Sequence, residues 1–313
     1  MELLLPIFLF IVGLVCIVKG GDWFVDAAAW IAEISGIPKV IVGATVVSLA
    51  TTLPEIIVSL LAAFQGKADM AIGNAVGSVT ANTGLILGMS IFFAPLVLKR
   101  RDYLAKALLM VAAVAALTVF TRSGSLSGLG IVVLVAIFAA FMFENIQSAV
   151  KVSEHHPRER PVAGEVRRNV LKFIGGTAGI VVGAQLLVDN GSLLAEKLGV
   201  PEGIISVTFI AVGTSLPELV TAITSLVKKQ GSLSAGNIIG ANIIDTTLIL
   251  PLCGWLSGEA LPLSAQSMSL DLPACLLIVA VGMIPMLIKS KFMRWQGAAL
   301  LALYGGYLYF VIA

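Results

Sequence analysis

The chain repeats itself at one fixed offset, and no other feature narrows its possible folds as far. Ile37-Pro38 returns as Val200-Pro201, and Ala50-Thr51-Thr52-Leu53-Pro54-Glu55 returns as Gly213-Thr214-Ser215-Leu216-Pro217-Glu218. Gly73-Asn74-Ala75-Val76-Gly77-Ser78 returns as Gly236-Asn237-Ile238-Ile239-Gly240-Ala241, and the match ends on Asn82 against Asp245. Every pair lies 163 residues apart without a gap. Both copies set carboxylates and hydroxyls inside strongly apolar segments. Ionisable groups are costly in hydrocarbon and mark function there by default. A duplicated set on Pro-interrupted helices is the sequence pointer to a secondary-transporter binding site.

Those segments need a membrane. The chain is 58% hydrophobic and 12% charged, with mean hydropathy +1.02, more apolar surface than a soluble fold of this size can hide. A net charge of +2 says nothing about partners by itself, since what matters is where the basic residues lie, and nucleic acid is not expected. Cys16, Cys253 and Cys275 all lie in apolar runs and suggest no disulfide framework. The segment Leu3 to Val18 has no preceding basic residue and no small-residue cleavage site, so it reads as a retained helix.

Apolar runs bounded by charge or by Gly, Pro and Ser give ten spans: 3–27, 38–64, 70–96, 103–121, 126–148, 169–190, 202–227, 233–256, 270–288 and 293–312. The fold expected is an all-α polytopic membrane protein. A first five-helix repeat fills 1–148, a basic cytoplasmic linker 149–168, and a second five-helix repeat 169–313. Five is odd, so the second repeat enters the membrane inverted relative to the first. With both termini outside, seventeen of the twenty Lys and Arg fall on the inner side, leaving Lys67, Arg122 and Lys197 outside. A multi-pass protein of the cell's inner membrane is expected, with the linker cytoplasmic. The His155-His156 pair in that linker lacks a nearby Cys or carboxylate cluster and reads as part of a solvated loop.

The second span carries a polar stripe. On a helix Glu55 shares a face with Thr52, Thr51, Ser48 and Ser59. Pro54 cannot donate a backbone hydrogen bond and clashes with the carbonyl of Ala50, so the helix should loosen there. Irregular backbone at membrane depth is tolerated only where it meets protein or lines a cavity. The seventh span repeats this arrangement around Pro217 and Glu218. Asn82 follows Glu55 by 27 residues, as Asp245 follows Glu218, and a hairpin near Lys67 puts both members of a pair at similar depth. Inverting one half on the other gathers Glu55, Asn82, Glu218 and Asp245 at a pseudo-two-fold axis near the bilayer midplane. Glycines at 73, 77, 84, 236 and 240 are expected to let neighbouring helices approach closely. Asp26 and Asp189, another matched pair, are expected to cap or anchor helix ends.

Three carboxylates, one amide oxygen and several hydroxyls, without sulfur or imidazole, suit a hard cation. Up to three negative charges balance one Ca²⁺ or two to three Na⁺. Bare charges in low dielectric are expensive, which favours obligatory exchange over a leak.

At Gly213-Thr214-Ser215-Leu216-Pro217-Glu218 and at Gly236-Asn237-Ile238-Ile239-Gly240-Ala241-Asn242 the chain resembles the sodium/calcium exchanger family. More broadly it resembles the cation/calcium antiporters in their compact prokaryotic form. That resemblance spans essentially the whole chain and implies Ca²⁺/Na⁺ antiport by alternating access. It makes Glu55, Glu218 and Asp245 the acidic ligands and Asn82 the fourth member. Thr51, Thr52, Thr214 and Ser215 would supply hydroxyl or carbonyl oxygens to flanking Na⁺ sites, and Ser48 and Ala211 backbone carbonyls. Residues 3–27 and 169–190 would slide over a rigid core. The pattern departs from the family at Leu49-Ala50-Thr51-Thr52, where Gly-Thr-Ser is common, and at Val79-Thr80, where Asn-Ile is usual. In potassium-dependent relatives the position of Asn82 tends to be acidic, and in proton-coupled ones Gly77 and Gly240 tend to be Glu. Both departures favour Na⁺ coupling over H⁺ or K⁺ coupling, the alternatives on the same scaffold. An intramembrane enzyme is a remote alternative, since no span carries a Ser/His or His-based metal arrangement. The expected substrates are Ca²⁺ and Na⁺, with the bilayer as surroundings and no cofactor, nucleic acid or obligatory protein partner.

Overall fold

Pro54 breaks its helix where the sequence demands it, and Pro217 stands at the start of a helix at the matching position. In the computed structural model, which describes residues 3–94, 100–153, 163–198, 213–258, 260–289 and 291–312, helix α2 (Lys39–Thr51) meets α3 (Leu53–Phe64) at a bend of 48°. Thr52 holds the corner with φ −82° and ψ 1°, and Ser215 holds the matching corner with φ −86° and ψ 6°. In both copies the proline then occupies the first turn of the new helix, where its missing N–H removes no helical bond.

The described elements are α1 (Leu4–Ser35), α2, α3, α4 (Ala68–Phe93), α5 (Arg100–Phe120), α6 (Gly128–Ser153) and α7 (Ala163–Lys197), then α8 (Leu216–Val227), α9 (Gly231–Ser257), α10 (Ser267–Lys289) and α11 (Arg294–Ile312). Seven helices among the described residues are long and apolar enough to cross a membrane, or eight with the bent pair α2–α3 taken as one span. Of the expected span 202–227 only residues 213–227 fall within the described residues, the helix among them being Leu216–Val227. Large apolar side chains such as Leu4, Phe8, Phe64, Phe93, Leu129 and Phe143 face outward, which suits hydrocarbon and not water. One element departs from the all-helical expectation. Ser125–Leu126 (β1) pairs antiparallel with Leu261–Pro262 (β2), joining two interhelical loops.

The matched segments fold alike. Helix α3 and helix α8 begin and end at positions 163 apart, and so do the straight parts of α4 (Ala68–Ala81) and α9 (Gly231–Ile244). The turns between them correspond: Gly66 has φ 73°, and its counterpart Lys229, which carries a side chain, has φ 56°. The second turn therefore holds a residue in the left-handed region that glycine fills freely in the first.

The packing forms two bodies. A large apolar core runs from α3 through α6 and from α8 through α11, with Tyr103, Met110, Phe141, Ile238 and Met283 fully covered. A smaller cluster joins Phe24, Val25 and Ala28 of α1 and Ile180 of α7 to Val42 and Val47 of α2 and Leu233 of α9. Helices α1 and α7 pack along their length through small residues. A Cβ on Gly13 would lie 3.0 Å from the Gly183 carbonyl oxygen, and one on Gly176 would lie 2.8 Å from that of Gly20. The partner number falls as the first rises, so the two helices run antiparallel.

Both α1 and α7 outrun their expected spans, and the charges explain why. Asp22 and Asp26 sit within α1 and not at its end, so Asp26 does not cap the helix as expected. Asp26 accepts a hydrogen bond from Lys228 at 2.6 Å and pairs with Lys172 of α7 at 3.5 Å, while Asp22 pairs with Lys228 at 3.4 Å. Partial burial favours the neutral amine, but the Asp26 hydrogen bond and the charges of Asp26 and Asp22 outweigh it and raise the Lys228 ammonium above its ordinary value. The matched carboxylate Asp189 accepts, among the described residues, from Gln185 of its own helix at 2.8 Å. Because these charges are part-exposed, Lys228→Gln is expected to lower stability by no more than about 1 kcal/mol, with the difference vanishing in high salt. Thermal unfolding in detergent at low and high salt measures it. Lys106, expected in an inner connection, instead lies fully buried in α5 and pairs with Glu144 of α6.

Candidate functional site

The polar stripe of the sequence converges at the starts of α3 and α8. Glu55, Asn82 and Glu218 are each 1% exposed and Asp245 is fully covered, although all lie among apolar helices. Glu55 and Glu218 stand in the first turns of α3 and α8, where helix N-termini favour negative charge. Asn82 and Asp245 each open a π-helical turn, Asn82–Leu87 in α4 and Asp245–Ile249 in α9. Wide turns of this kind leave backbone groups out of the ordinary ladder and recur at functional positions. No side-chain pattern marks them in advance. A third π-helical turn, Gly43–Val47, lies just before Ser48 in α2.

The carboxylates interact with one another. Glu55 feels the charges of Glu218 and Asp245, and Asp245 that of Glu218. Thr52 Oγ1 donates to Glu218 Oε1 at 3.4 Å across the repeat boundary, and the Thr51 hydroxyl lies against the same carboxylate. Thr51 Oγ1 also donates to Asn237 Oδ1 at 3.2 Å. Ser48, Thr51, Thr52 and Ser215 are buried and Thr214 is half-buried. Ala211 lies outside the described residues.

What remains unpaired defines the chemistry. Both oxygens of Glu55, both of Asp245, Oε2 of Glu218 and Oδ1 of Asn82 are buried without a hydrogen-bond partner. Buried polar atoms are nearly always satisfied, so orphan acceptors on all four candidate residues point to cationic company. Among the described residues no three His, Cys, Asp or Glu side chains close into a resident metal cage.

Several neighbours refine the sequence reading. Ser78, quoted in the repeated motif but not singled out, is 2% exposed and takes the Ser215 hydroxyl at 3.5 Å. Its counterpart is Ala241, so the two sides of the site differ there as well as at Asn82 and Asp245. Asn74 Nδ2 donates to the Glu55 carbonyl at 3.3 Å and to Ser59 Oγ at 2.9 Å, a positioning role for the helix break. Thr80 and Thr247 bond back to carbonyls of their own helices, as packing residues do.

The expected close approaches hold at Gly84, Gly236 and Gly240. A Cβ on Gly236 would sit 2.2 Å from the Val40 carbonyl oxygen, one on Gly240 2.5 Å from that of Ala44, and one on Gly84 2.8 Å from Tyr304 Cβ. Gly73 and Gly77 have no such neighbour among the described residues. The positions that match Val40 and Ala44 in the second repeat, 203 and 207, lie outside them.

Comparison with known proteins follows the same division of the chain. A family model described as sodium/calcium exchanger protein matches residues 5–146 and again 169–313. The sodium/calcium exchanger MaX1 of Methanosarcina acetivorans is 32% identical over 343 residues, covering 95% of this chain and 96% of its own. The inner membrane protein YrbG of Escherichia coli is 35% identical over 272 residues, covering 84% and 83%. Among solved structures, the sodium-calcium exchanger NCX_Mj soaked with 2.5 mM Na⁺ and 10 mM Sr²⁺ superposes with a TM-score of 0.84 at 28% identity, over 96% of this chain and 97% of that one.

Proposed function

The chain belongs to the sodium/calcium exchanger family, and from that premise we infer a secondary active antiporter that exchanges Ca²⁺ for Na⁺ by alternating access. Glu55, Asn82, Glu218 and Asp245 form its central ion site near the bilayer midplane. The observation that carries this reading is the set of orphan oxygens, six of them on those four residues. Ca²⁺ takes about six to eight oxygens in a flexible cage, so one ion with a few hydroxyl and carbonyl ligands from Thr51, Thr52, Thr214 and Ser215 uses the set fully. Ser48 and Ala211 add backbone oxygens toward flanking Na⁺ positions.

The architecture proposed is ten spans in two inverted five-helix repeats, 1–148 and 169–313, joined by the linker 149–168. Three observations support it. One family model matches both halves. The hairpins α3–α4 and α8–α9 keep equal boundaries at the repeat offset. Contacts between α1 and α7 are reciprocal: Gly13 meets Gly183 and Gly20 meets Gly176, where 176 and 183 are the counterparts of 13 and 20. Reciprocity of that kind is the mark of a two-fold axis. Among the described residues α1 and α7 meet the rest of the protein through the smaller cluster, a contact of Gly21 with α8 and the ion pairs of Lys228, and we take them to slide as a pair to expose the site to each side in turn. The linker and most of the Lys and Arg face the cytoplasm and both termini face outward.

The test is ⁴⁵Ca²⁺ flux in proteoliposomes under Na⁺, K⁺ and H⁺ gradients imposed separately. Uptake driven by an outward Na⁺ gradient, and enhanced by a membrane potential of the matching sign, is expected. Uptake driven by a pH gradient without Na⁺ overturns the coupling assigned here.

The amide at Asn82 sets the charge of the site at three carboxylates, and Asn82→Asp raises it to four. A Na⁺-loaded or Ca²⁺-loaded site would then be one cation short in low dielectric. Na⁺-driven uptake is expected to fall by about tenfold, the equivalent of about 1.4 kcal/mol, and to recover in part when K⁺ or acid supplies the missing charge. Uptake at the unmodified rate in both conditions would remove Asn82 from the site.

A further inference from the structure

We propose that Thr221, Ser225 and Ser234 form a hydroxyl track for Na⁺ between Glu218 and the end of the α8–α9 hairpin, a track that the first repeat lacks. The proposal rests on the exchanger reading above and adds to it a route outside the four-residue site.

Thr221 and Ser225 follow Glu218 by three and seven residues, so all three lie on one face of α8. Ser234 stands on α9 across the turn. The Gln230 N–H donates to the Ser225 carbonyl at 2.6 Å and the Ser234 N–H donates to the Gln230 carbonyl at 3.3 Å, which sets Ser225 and Ser234 at one height just inside the hairpin. All three side chains are fully buried, and all three hydroxyl oxygens lack a partner.

Several other buried hydroxyls of this protein behave differently. Thr80, Thr121 and Thr246 bond back to the carbonyls of Val76, Leu117 and Asn242 at 2.7, 2.7 and 2.8 Å. That is the usual resting arrangement for such groups. Thr221, Ser225 and Ser234 forgo it, which keeps their oxygens available to a passing ligand. In the first repeat the same positions are Val58, Ala62 and Ala71. The one buried hydroxyl beyond Glu55 on α3, Ser59, is occupied by Asn74.

The chemistry selects the ion. Neutral hydroxyls replace part of a hydration shell without binding tightly, which lets an ion leave as well as enter. They suit a monovalent cation such as Na⁺, whereas Ca²⁺, costlier to dehydrate, is held where carboxylates supply part of its oxygen shell, as at the central site. Under the topology proposed above, the track occupies the inner half of the protein. The two faces then differ in how they exchange Na⁺ although the fold is duplicated.

The experiment converts the track into its apolar counterpart with Thr221→Val, Ser225→Ala and Ser234→Ala together. In proteoliposomes the apparent KM for Na⁺ is expected to rise and turnover of Na⁺-driven ⁴⁵Ca²⁺ exchange to fall by about tenfold. Ca²⁺ binding to the detergent-solubilised protein, read by calorimetry, should stay within about twofold. Thr221→Ser, Ser225→Thr and Ser234→Thr keep every oxygen and are expected to retain unmodified kinetics. Equal turnover in the apolar triple variant overturns the track, and so does an equal slowing in the hydroxyl-retaining set, which would make the positions packing sites. The unmodified protein in the same vesicles reports on the exchange reading itself: without Na⁺-driven flux there, that reading fails first and separately. Should the triple variant not accumulate, Ser225→Cys alone gives the answer. Its modification by a membrane-impermeant maleimide should be slowed by Na⁺, and modification indifferent to Na⁺ overturns the track.

Discussion

Glu218→Gln is expected to abolish Na⁺-driven Ca²⁺ uptake while leaving the ion-free protein at least as stable as before. The substitution keeps the volume of the side chain and the acceptor that takes the Thr52 hydroxyl, and removes only the charge. Glu218 Oε2 is buried without a partner, beside two more carboxylates whose oxygens are equally bare. Breaking up such a cluster relieves a desolvation cost on the order of 1–3 kcal/mol, so the melting temperature in ion-free detergent should hold or rise. Transport responds oppositely. The loss should be at least about 100-fold, the scale on which one member of a preorganised charged site acts. The ion-dependent part of the stability should disappear as well, since stabilisation by Ca²⁺ tracks its affinity. Glu55→Gln is expected to behave alike, with both of its oxygens unpaired. The Ala variants should also lose uptake, but each opens a cavity whose cost obscures the stability gain. Flux together with melting curves, with and without Ca²⁺, checks the pair of effects. A charge-free variant that still drives uptake would exclude that carboxylate from the site.

Much of this arrangement was legible because the membrane punishes polarity. In a soluble protein Pro54-Glu55 would be an unremarkable helix start. Inside an apolar span it signals both a loosened helix and a buried carboxylate, and Pro217-Glu218 repeats the helix start and the burial. Asn82 and Asp245 were readable from their spacing alone. The wide turns that begin on them were not, because a π-helical turn has no side-chain signature and is set by how neighbouring helices crowd the backbone. The lengths of α1 and α7 were also misread. Asp26 is held inside α1 by its tertiary partners Lys228 and Lys172, and no local pattern reports partners 202 and 146 residues away. Lys106 was misplaced for the same reason, its charge being answered by Glu144 on the next helix. The two-residue β pairing between loops is too short to leave any alternation in the sequence.

Close packing of α9 against α2 makes the second large effect predictable. A methyl group on Gly236 would lie 2.2 Å from the Val40 carbonyl oxygen and 2.9 Å from its carbon. Both are backbone atoms of a helix that cannot yield alone. A methyl group on Gly240 would meet the Ala44 carbonyl oxygen at 2.5 Å and Ser48 Oγ at 2.6 Å, one turn further along the same seam. The two helices would have to separate by roughly an ångström, and overpacking of this kind costs about 1–3 kcal/mol per site. Separation at Gly240 also moves the π-helical turn Gly43–Val47 and Ser48, which adjoin the ion site, and loosens the contact of Thr51 with Asn237. Gly236→Ala should therefore act chiefly on stability, visible as a lower melting temperature and reduced accumulation in membranes. Gly240→Ala should lower stability and also weaken Ca²⁺ binding, because its strain falls on the wall of the site. Gly66→Ala is the matched control. That glycine meets nothing within 4 Å but has φ 73°, so its cost comes from backbone conformation alone, and Lys229 shows that a side chain is accommodated at the matching turn. A penalty of about 1 kcal/mol is expected there, with Ca²⁺ binding unchanged. Melting curves and Ca²⁺ titrations on the three variants separate seam, site and turn. Unchanged binding and stability in Gly240→Ala would mean that the contact between α9 and α2 does not set the geometry of the ion site.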